Sequence, residues 1–247
     1  MKKTLHFIGI LLLVFSAVFI SCDDKAKYSL GDFRIDLATV QPEGENAYTL
    51  ILDNGQRLWP AAADVRYSPN YNQRVFLNYT ILSDAKNGYD HYIKVNDIWN
   101  ILTKQAIELN AQNQDSIGND VVKINDMWIG GDYLNVSFMF NYGGVKPHAI
   151  NLVHNMLKET PSEQNAIELE FRHNAYESTN TKLYEGFVCF DLKPLRVEGE
   201  DSIPLSIKVK EAEGEKTVDV VYRYNQLDIN QAGVERPIPV ITSNEYY

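Results

Sequence analysis

The sequence predicts an all-β protein, with a small barrel near its N-terminus and a β-sandwich after it. Apolar and polar residues alternate through many short segments, as they do in half-buried strands. Clusters of Gly, Asn and Asp separate these segments and supply turns. No long stretch has the apolar spacing of an amphipathic helix. A chain of 247 residues is long enough for two such domains.

The barrel is predicted over residues 30–112. Its five strands are expected at residues 33–37, 48–52, 56–59, 75–81 and 91–95. Between the second and third strands, Asn54-Gly55 tolerates positive φ angles and predicts a two-residue type I′ hairpin. A second pair of this kind, Asn87-Gly88, precedes the last strand. Five short strands with this spacing close naturally into an OB-type barrel.

A polar stretch rich in Asn and Gln, residues 110–120, interrupts the alternation and marks the predicted domain boundary. Residues 103–108, just before it, fit either a strand or a helix. The β-sandwich is predicted over residues 113–226, with a hairpin around Gly130-Gly131, and residues 227–247 form a tail or an extra edge strand. Its seven strands are expected at residues 123–129, 133–141, 150–152, 167–171, 186–190, 203–209 and 218–224.

The first part of the chain, residues 1–21, has the features of a secretory signal peptide. Two lysines near the start precede residues 7–20, an apolar run shorter than the roughly 20 residues of a membrane-spanning helix. Ser21 and Cys22 follow directly, and a small residue before a cysteine resembles the cleavage site of bacterial lipoproteins. The resemblance implies lipid on Cys22, which anchors the chain in a membrane. An ordinary signal peptide with an incidental cysteine is the alternative.

Residues 22–29 then form a charged tether to the barrel. Asp23 and Asp24 resemble the surface-export signal of lipoproteins in the Bacteroidetes, and an ordinary charged tether is the alternative interpretation. We therefore expect the protein in the cell envelope, anchored in the outer membrane, with its body on either the cell surface or the periplasmic face.

The chain is acidic, with a net charge of −10 that becomes −12 once Lys2 and Lys3 leave with the leader. Phosphate recognition needs a basic surface, so we expect no nucleic-acid partner. Only two cysteines are present, and with Cys22 lipidated no disulfide can form. Cys189 lies in an apolar strand pattern and is expected to be a small buried residue.

Several short motifs occur in order along almost the whole mature chain. They include Ser21-Cys22, Gly31-Asp32, Leu52-Asp53-Asn54-Gly55, Leu58-Trp59-Pro60, Asp126-Met127-Trp128-Ile129, Phe171-Arg172-His173-Asn174 and Gly186-Phe187-Val188-Cys189-Phe190. Together they resemble the NigD-like lipoproteins of the Bacteroidetes. The resemblance implies an N-terminal OB-like domain, a C-terminal β-sandwich and a role connected with bacteriocin immunity. It implies no catalytic residue.

Residues that carry catalysis or bind cofactors are not evident in the sequence. His148, His154 and His173 either converge across neighbouring strands or are ordinary strand residues. No histidine and cysteine cluster has zinc-binding spacing, and no glycine-rich motif would hold a phosphate, so we expect no metal and no cofactor. No pair of carboxylates and no nucleophile stands out, which leaves a hydrolase as a remote alternative.

Aromatic residues are the remaining candidates for a ligand site, because the chain has 15 tyrosines and three tryptophans. Trp59, at the end of a predicted strand, is a candidate ligand-binding residue, since flat rings stack on sugars and OB barrels carry ligands on one face. Its alternative is packing in the core. Trp99 and Trp128 are expected in the core, next to isoleucines.

Two serines lie in candidate modification sites. The tripeptides Asp115-Ser116-Ile117 and Asp201-Ser202-Ile203 resemble the O-glycosylation sequon of Bacteroidetes envelope proteins. Both fall in predicted loops, where a glycosyltransferase could reach the hydroxyl group. A motif this short also arises by chance.

These observations favour a non-catalytic lipoprotein of the cell envelope that binds an envelope protein, in an immunity or assembly role. The membrane is itself a partner, through the lipid on Cys22. A surface module that binds glycans is the alternative that the aromatic content supports.

Overall fold

The computed structural model describes residues 28–44, 47–143, 146–157, 166–179, 181–224 and 245–247. The predicted signal peptide, the predicted lipid attachment site Cys22 and most of the predicted tail lie outside these ranges. The described chain is nearly all β-structure, which confirms the predicted fold class. None of its helices is long and apolar enough to cross a membrane.

The first domain is a closed barrel of five strands. They are β1 (Phe33–Pro42), β2 (Tyr48–Leu52), β3 (Arg57–Ala63), β4 (Arg74–Ser83) and β5 (His91–Asn100). Around the barrel their order is β1-β2-β3-β5-β4, with β3 and β5 parallel and β1 closing on β4. The alternating apolar residues face inward, and the interior includes the fully buried Val40, Leu50, Leu58, Leu77 and Ile93. The five-stranded barrel that the sequence predicts is therefore confirmed.

The turn between β2 and β3 differs from the predicted type I′ hairpin. Gly55 has a φ of 84°, but Asn54 is not among the residues with positive φ. The backbone N–H of Leu52 donates to the carbonyl of Gln56 at 2.9 Å, so the loop is one residue longer than predicted. The Asn54 side chain accepts the N–H of Gln56 at 3.0 Å, an Asx contact that supports this longer turn.

The second domain is a sandwich of two sheets. Its strands are β6 (Leu102–Gln105), β7 (Ile107–Leu109), β8 (Lys123–Gly130), β9 (Tyr133–Asn141), β10 (Ala149–Asn155), β11 (Ile167–Asn174), β12 (Leu183–Asp191), β13 (Ser202–Glu211) and β14 (Gly214–Arg223). One sheet has the order β14-β13-β11-β10-β7 and the other β6-β12-β9-β8. A short helix, α1 (Gln114–Ile117), and a 3-10 turn, Lys193–Leu195, complete it. The core between the sheets includes Phe138, Leu152, Phe171, Phe190 and Ile207.

Strands β6 and β7 carry the chain from one sheet of the sandwich to the other. β6 runs parallel to β12, and β7, one residue later, runs parallel to β10. The change from barrel to sandwich thus falls at the end of β5, before the boundary predicted at residue 112. The polar stretch 110–120 lies within the sandwich, where it contains α1. Strands of four and three residues show little alternation, so the sequence pattern does not reveal them.

Candidate functional site

Three aromatic rings lie together on the outside of the barrel. OB barrels bind ligands across their second and third strands and the loops between strands 1 and 2 and between strands 4 and 5. Trp59 lies on β3, Tyr89 in the β4–β5 loop and Tyr92 at the start of β5, and all three are half-buried. We call these rings, with Arg57 of β3 and Glu43 of the β1–β2 loop, the barrel aromatic patch.

The rings of the barrel aromatic patch are tilted against one another. The ring centres of Trp59 and Tyr89 are 5.1 Å apart with their planes at 44°, and those of Tyr89 and Tyr92 are 6.1 Å apart at 89°. The Arg57 guanidinium lies 5.4 Å from the centre of the Tyr89 ring. The patch therefore presents both edges and faces of rings, and its surface is uneven.

Polar contacts hold the rim of the patch in place. The Glu43 carboxylate accepts hydrogen bonds from the hydroxyl of Tyr89, at 3.3 Å, and from the hydroxyl of Thr49. Arg57 lies 3.7 Å from the same carboxylate, with 48% of its side chain exposed against 37% for Glu43. An exposed ion pair of this kind adds little stability, so its main effect is to orient the two side chains.

The position of Trp59 follows from the strand pattern. Leu58 is fully buried in the barrel, so its neighbours on β3 face outward. In the parallel pairing of β3 with β5, Trp59 is aligned with Tyr92, and the two rings share the outer face.

The position of Tyr89 follows from the turn before it. Asn87 and Gly88 have φ angles of 55° and 84°, as a type I′ turn requires. Lys86 and Tyr89 flank the turn and exchange backbone hydrogen bonds of 3.0 and 3.1 Å. The turn brings Tyr89 back beside Trp59.

Trp59 is the one member of the patch that the sequence identifies, and its role in ligand binding stays a prediction. The sequence interpretation missed Glu43, Arg57, Tyr89 and Tyr92. The second Asn-Gly pair was the available signal for Tyr89, because the residue after a two-residue turn must return beside the strand. Tyr92 is aligned with Trp59 because β3 and β5 pair in parallel, and the sequence does not reveal this pairing.

The prediction that Trp99 lies in the core is wrong. Trp99 is 44% exposed near the end of β5, where it pairs with Phe76 on the outer face of the barrel. Trp128 is half-buried, with its ring 5.6 Å from the ring of Phe187. Both tryptophans lie close to the contact between the two domains.

The contact between the domains, which we call the domain junction, centres on Arg74. Its guanidinium is 1% exposed and forms an ion pair with Asp53 at 2.6 Å, with a second hydrogen bond to the same carboxylate at 2.9 Å. From the barrel it reaches across to the sandwich, where it donates to Asn135 at 3.2 Å and lies 4.6 Å from the ring centre of Tyr133. Around it packs a buried cluster of Phe76, Ile101, Tyr133, Phe187 and Cys189.

Electrostatics at the junction keep Arg74 charged and Cys189 neutral. Burial alone would lower the pKa of Arg74, but the Asp53 carboxylate outweighs burial, and the pKa is raised. Burial raises the pKa of the Cys189 thiol to about 11, and the thiol donates to Asn135 at 3.1 Å. Cys189 is fully buried, as predicted, and a neutral thiol without access to solvent is a poor nucleophile.

Two of the three histidines that the sequence singled out do come together. Nδ1 of His148 lies 2.9 Å from Nε2 of His173, and Nδ1 of His173 lies 3.0 Å from the carbonyl of Val121. The carbonyl requires a proton on Nδ1 of His173, so Nε2 of that ring accepts from His148. Both residues are buried, whereas His154 is exposed. Nowhere in the described chain do three or more His, Cys, Asp or Glu side chains gather to hold a metal.

Burial keeps both of these histidines neutral. It lowers the pKa of His148 to about 4, with repulsion between the two rings when both are protonated as the second cause, and it lowers the pKa of His173 as well. Their rings pack against Phe140 at 5.3 and 5.9 Å between ring centres. Three of the four ring nitrogens of the pair have hydrogen-bond partners within the core, which indicates a structural role.

The two predicted glycosylation serines occupy different settings. Ser116 is exposed in α1, and its hydroxyl donates to the carbonyl of Asn113 at 2.9 Å. Ser202 is half-buried as the first residue of β13. Modification of either serine stays a prediction.

A small cavity of about 130 Å³ lies on the outer face of the five-stranded sheet. Four of its charged side chains already have partners. Arg172 pairs with Glu170, Lys208 lies 3.4 Å from Glu168, and Lys210 donates to a backbone carbonyl at 2.9 Å. Because most of its charged groups are already paired, the cavity offers a ligand fewer binding groups than the barrel aromatic patch does.

An OB barrel joined to a β-sandwich defines a two-domain, all-β class of protein. The chain matches the NigD-like N-terminal OB domain over residues 37–101 and the NigD-like C-terminal beta sandwich domain over residues 105–222. These two matches cover most of the chain, which therefore belongs to the NigD-like family. No sequence among the curated proteins is similar to it.

Solved structures agree with this assignment. A protein from Parabacteroides distasonis, described as toxin-related, is 39% identical with a TM-score of 0.70, over 83% of this chain and 100% of that one. A protein of unknown function from Bacteroides vulgatus is 33% identical with a TM-score of 0.68, over 80% and 94%. A NigD-like immunity protein from Bacteroides caccae, 21% identical with a TM-score of 0.58 over 78% and 94%, shares the fold.

Proposed function

We propose that this protein is a lipid-anchored, non-catalytic protein of the cell envelope that binds a protein partner through the barrel aromatic patch. The observation that carries the proposal is the patch itself. It places Trp59, two tyrosines and Arg57 at the face where OB barrels bind ligands. Trp, Tyr and Arg are the residues that most often dominate the binding energy of protein interfaces.

The uneven surface of the patch favours a protein over a flat ligand. Tilted rings leave grooves between them, and such grooves can take the side chains of a partner. The ion pair of Arg57 and Glu43 at the rim gives the surface both signs of charge, which supports orientation of a partner more than affinity.

The sequence and the family support the location and the role in this proposal. Ser21-Cys22 provides the lipid site and so the anchor. Membership of the NigD-like family, together with a relative described as toxin-related, supports an immunity role, in which the protein binds a toxin or a target of one.

The buried titratable groups of the described chain support a non-catalytic role. Arg74 is paired with Asp53, and His148 is paired with His173, each away from solvent. Catalytic groups need access to a substrate, which these pairs lack.

Cross-linking in cells tests the proposal. The full-length lipoprotein is expressed in its natural host and cross-linked in intact cells, and its cross-linked partners are then identified. We expect one envelope or toxin protein with wild type and with the control Trp99→Ala, whose ring is exposed elsewhere on the barrel. The same protein should be absent with the double variant Trp59→Ala/Tyr89→Ala. Partners that do not depend on the patch would contradict the proposal.

A glycan is the second candidate ligand of the same patch. Asn87 donates to the hydroxyl of Tyr92 at 3.1 Å, so polar groups that could bind sugar hydroxyls surround the rings. Titration of the protein with a panel of polysaccharides, followed by tryptophan fluorescence, separates the two candidates. A saturable change that is lost in Trp59→Phe would favour the glycan, whereas flat titrations would remove it.

A further inference from the structure

The last residues of the chain, 245–247, occupy a slot in the sandwich. We call it the tail slot, and its walls are the start of β10 with the preceding His148 on one sheet and Phe187 of β12 on the other. β7 pairs with β10 only along Val153–Asn155, and β6 pairs with β12 only from Val188 onward. At the slot, the backbone groups of β10 and β12 therefore have no partner in β7 or β6.

The backbone of residues 245–247 adds to β10 as a short parallel strand. The N–H of His148 donates to the carbonyl of Glu245 at 2.7 Å, and the N–H of Tyr247 donates to the carbonyl of His148 at 2.9 Å. The N–H of Ile150 then donates to the main-chain carbonyl oxygen of Tyr247 at 2.8 Å. These three bonds form the pattern by which many proteins bind an extended peptide at the edge of a sheet.

Tyr246 anchors this short strand in the core. Its side chain is 4% exposed, and its ring lies 5.3 Å from that of Phe138 and 5.8 Å from that of Phe140. Its hydroxyl accepts the N–H of Phe187 at 2.9 Å and donates to the carbonyl of Phe187 at 2.8 Å. The single hydroxyl of Tyr246 thus pairs with both backbone groups of Phe187, at a position of β12 that β6 does not reach.

We propose that the tail slot is a peptide-binding site of the strand-addition type, whose ligand is an extended segment with a buried tyrosine. Its occupant in this structure is the chain's own residues 245–247. The walls of the slot lie within the family match that ends at residue 222, whereas the occupant lies beyond that match. The occupant is held by its own backbone hydrogen bonds and by Tyr246, so the site is expected to accept the same peptide from a separate molecule.

Competition in the full-length chain tests this proposal. The probe is a fluorescent synthetic peptide of residues 236–247, and its binding is followed by anisotropy. The tethered occupant competes strongly with the probe in the wild-type chain, because a tether gives a high effective concentration. In the full-length variant Tyr246→Phe the occupant loses both hydrogen bonds to Phe187, so we expect the probe to bind it about tenfold or more tightly.

One further peptide and a cleaved chain complete the experiment. A probe that carries Tyr246→Phe should bind the same variant chain about tenfold or more weakly than the natural probe. A full-length chain with a protease site inserted within residues 225–244 should bind the natural probe after cleavage and not before. Three results would overturn the proposal. The two probes could bind the Tyr246→Phe chain equally, or the natural probe could bind the wild-type and Tyr246→Phe chains equally. The natural probe could also fail to bind a cleaved chain that keeps its circular dichroism spectrum.

Discussion

Arg74 is the residue on which the contact between the two domains depends most. Its side chain is 1% exposed, and its partners come from both domains, Asp53 from the barrel and Asn135 from the sandwich. Removal of the guanidinium leaves the Asp53 carboxylate without its counter-charge and takes one hydrogen bond from Asn135. A buried charge without a partner costs far more than an exposed one.

We expect Arg74→Met to lower the free energy of unfolding by about 3–5 kcal/mol, because it breaks a buried ion pair and leaves the Asp53 carboxylate without a counter-charge. Urea denaturation at pH 7 measures the change. The control is Lys216→Met, which removes an exposed pair with Glu211 at 3.7 Å and should change stability by less than about 0.5 kcal/mol. Equal effects of the two substitutions would contradict the importance of the buried arginine.

The histidine pair makes stability depend on pH. Burial lowers the pKa of His148 from 6.5 to about 4, and it lowers the pKa of His173. Between pH 6.5 and 4 the unfolded chain therefore binds more protons than the folded one. The contribution of the neutral histidines to the free energy of unfolding is complete above about pH 6.5 and falls as the pH drops towards 4. At pH 4.5 we expect the lowered pKa of His148 to have reduced the free energy of unfolding by about 2–3 kcal/mol from its value above pH 6.5. Urea denaturation across this pH range measures the change.

Variants separate this pair from the carboxylates, which also titrate at low pH. The double variant His148→Asn/His173→Asn should lose less stability between pH 6.5 and 4.5 than wild type does. The control His154→Gln changes an exposed histidine and should keep the wild-type dependence. If the stability of the double variant depended on pH as that of wild type does, groups other than this histidine pair would be responsible for the pH dependence.

At the scale of elements, the β8–β9 hairpin packs directly against the β2–β3 turn. A Cβ atom added at Gly130 would lie 2.0 Å from Oδ2 of Asp53 and 2.6 Å from Nδ2 of Asn135. Gly130 therefore allows the two turns to approach closely enough for Arg74 to bridge them. The requirement is one of space, because the φ angle of Gly130 is not positive.

We expect Gly130→Ala to lower the free energy of unfolding by about 1–3 kcal/mol, because the methyl group displaces Asp53 from Arg74. Thermal denaturation measures the effect. Gly31→Ala is the matched control, since a Cβ there would meet only Ser29 at 3.6 Å, an ordinary contact. A Gly130→Ala protein as stable as this control would mean that the junction is looser than described.

Elements with long, alternating strands could be predicted from the sequence, and elements set by partners distant in sequence could not. The barrel strands and β8–β14 show a clear period of two. In contrast, β6 and β7 depend on parallel partners about 50–90 residues away. The turn at Asn54-Gly55 also differs from its prediction, because a local side-chain contact supports a longer loop.

The same distinction applies to the candidate site and the junction. Trp59 stands out in the sequence because it is a tryptophan next to a proline, whereas Tyr92 joins it only through parallel pairing. Arg74 precedes the strand predicted at residues 75–81, and the sequence gives no sign of its burial, since arginine is usually exposed. Trp99 was assigned to the core from its apolar neighbour, but its pairing with Phe76 places it on the outer face.

For the whole molecule, the domain junction should make barrel and sandwich unfold together. The buried pair of Arg74 with Asp53 and the contact of Phe76 with Phe187, 4.9 Å between ring centres, join the domains. We expect a single calorimetric transition whose enthalpy equals the van't Hoff value. In Arg74→Met the transition should broaden or divide in two. Two separate transitions in the wild-type protein would contradict this account of the junction.

The central claim is that the barrel aromatic patch is the surface through which the anchored protein binds its partner. Site-specific photo-cross-linking in living cells tests it most directly, with benzoylphenylalanine in place of Tyr89 in the patch or Tyr71 as the control. Tyr71 is 73% exposed in the β3–β4 loop. The account predicts a discrete cross-linked protein, dependent on ultraviolet light, at Tyr89 and none at Tyr71. Cross-links of equal strength at both positions, or at Tyr71 alone, would contradict it.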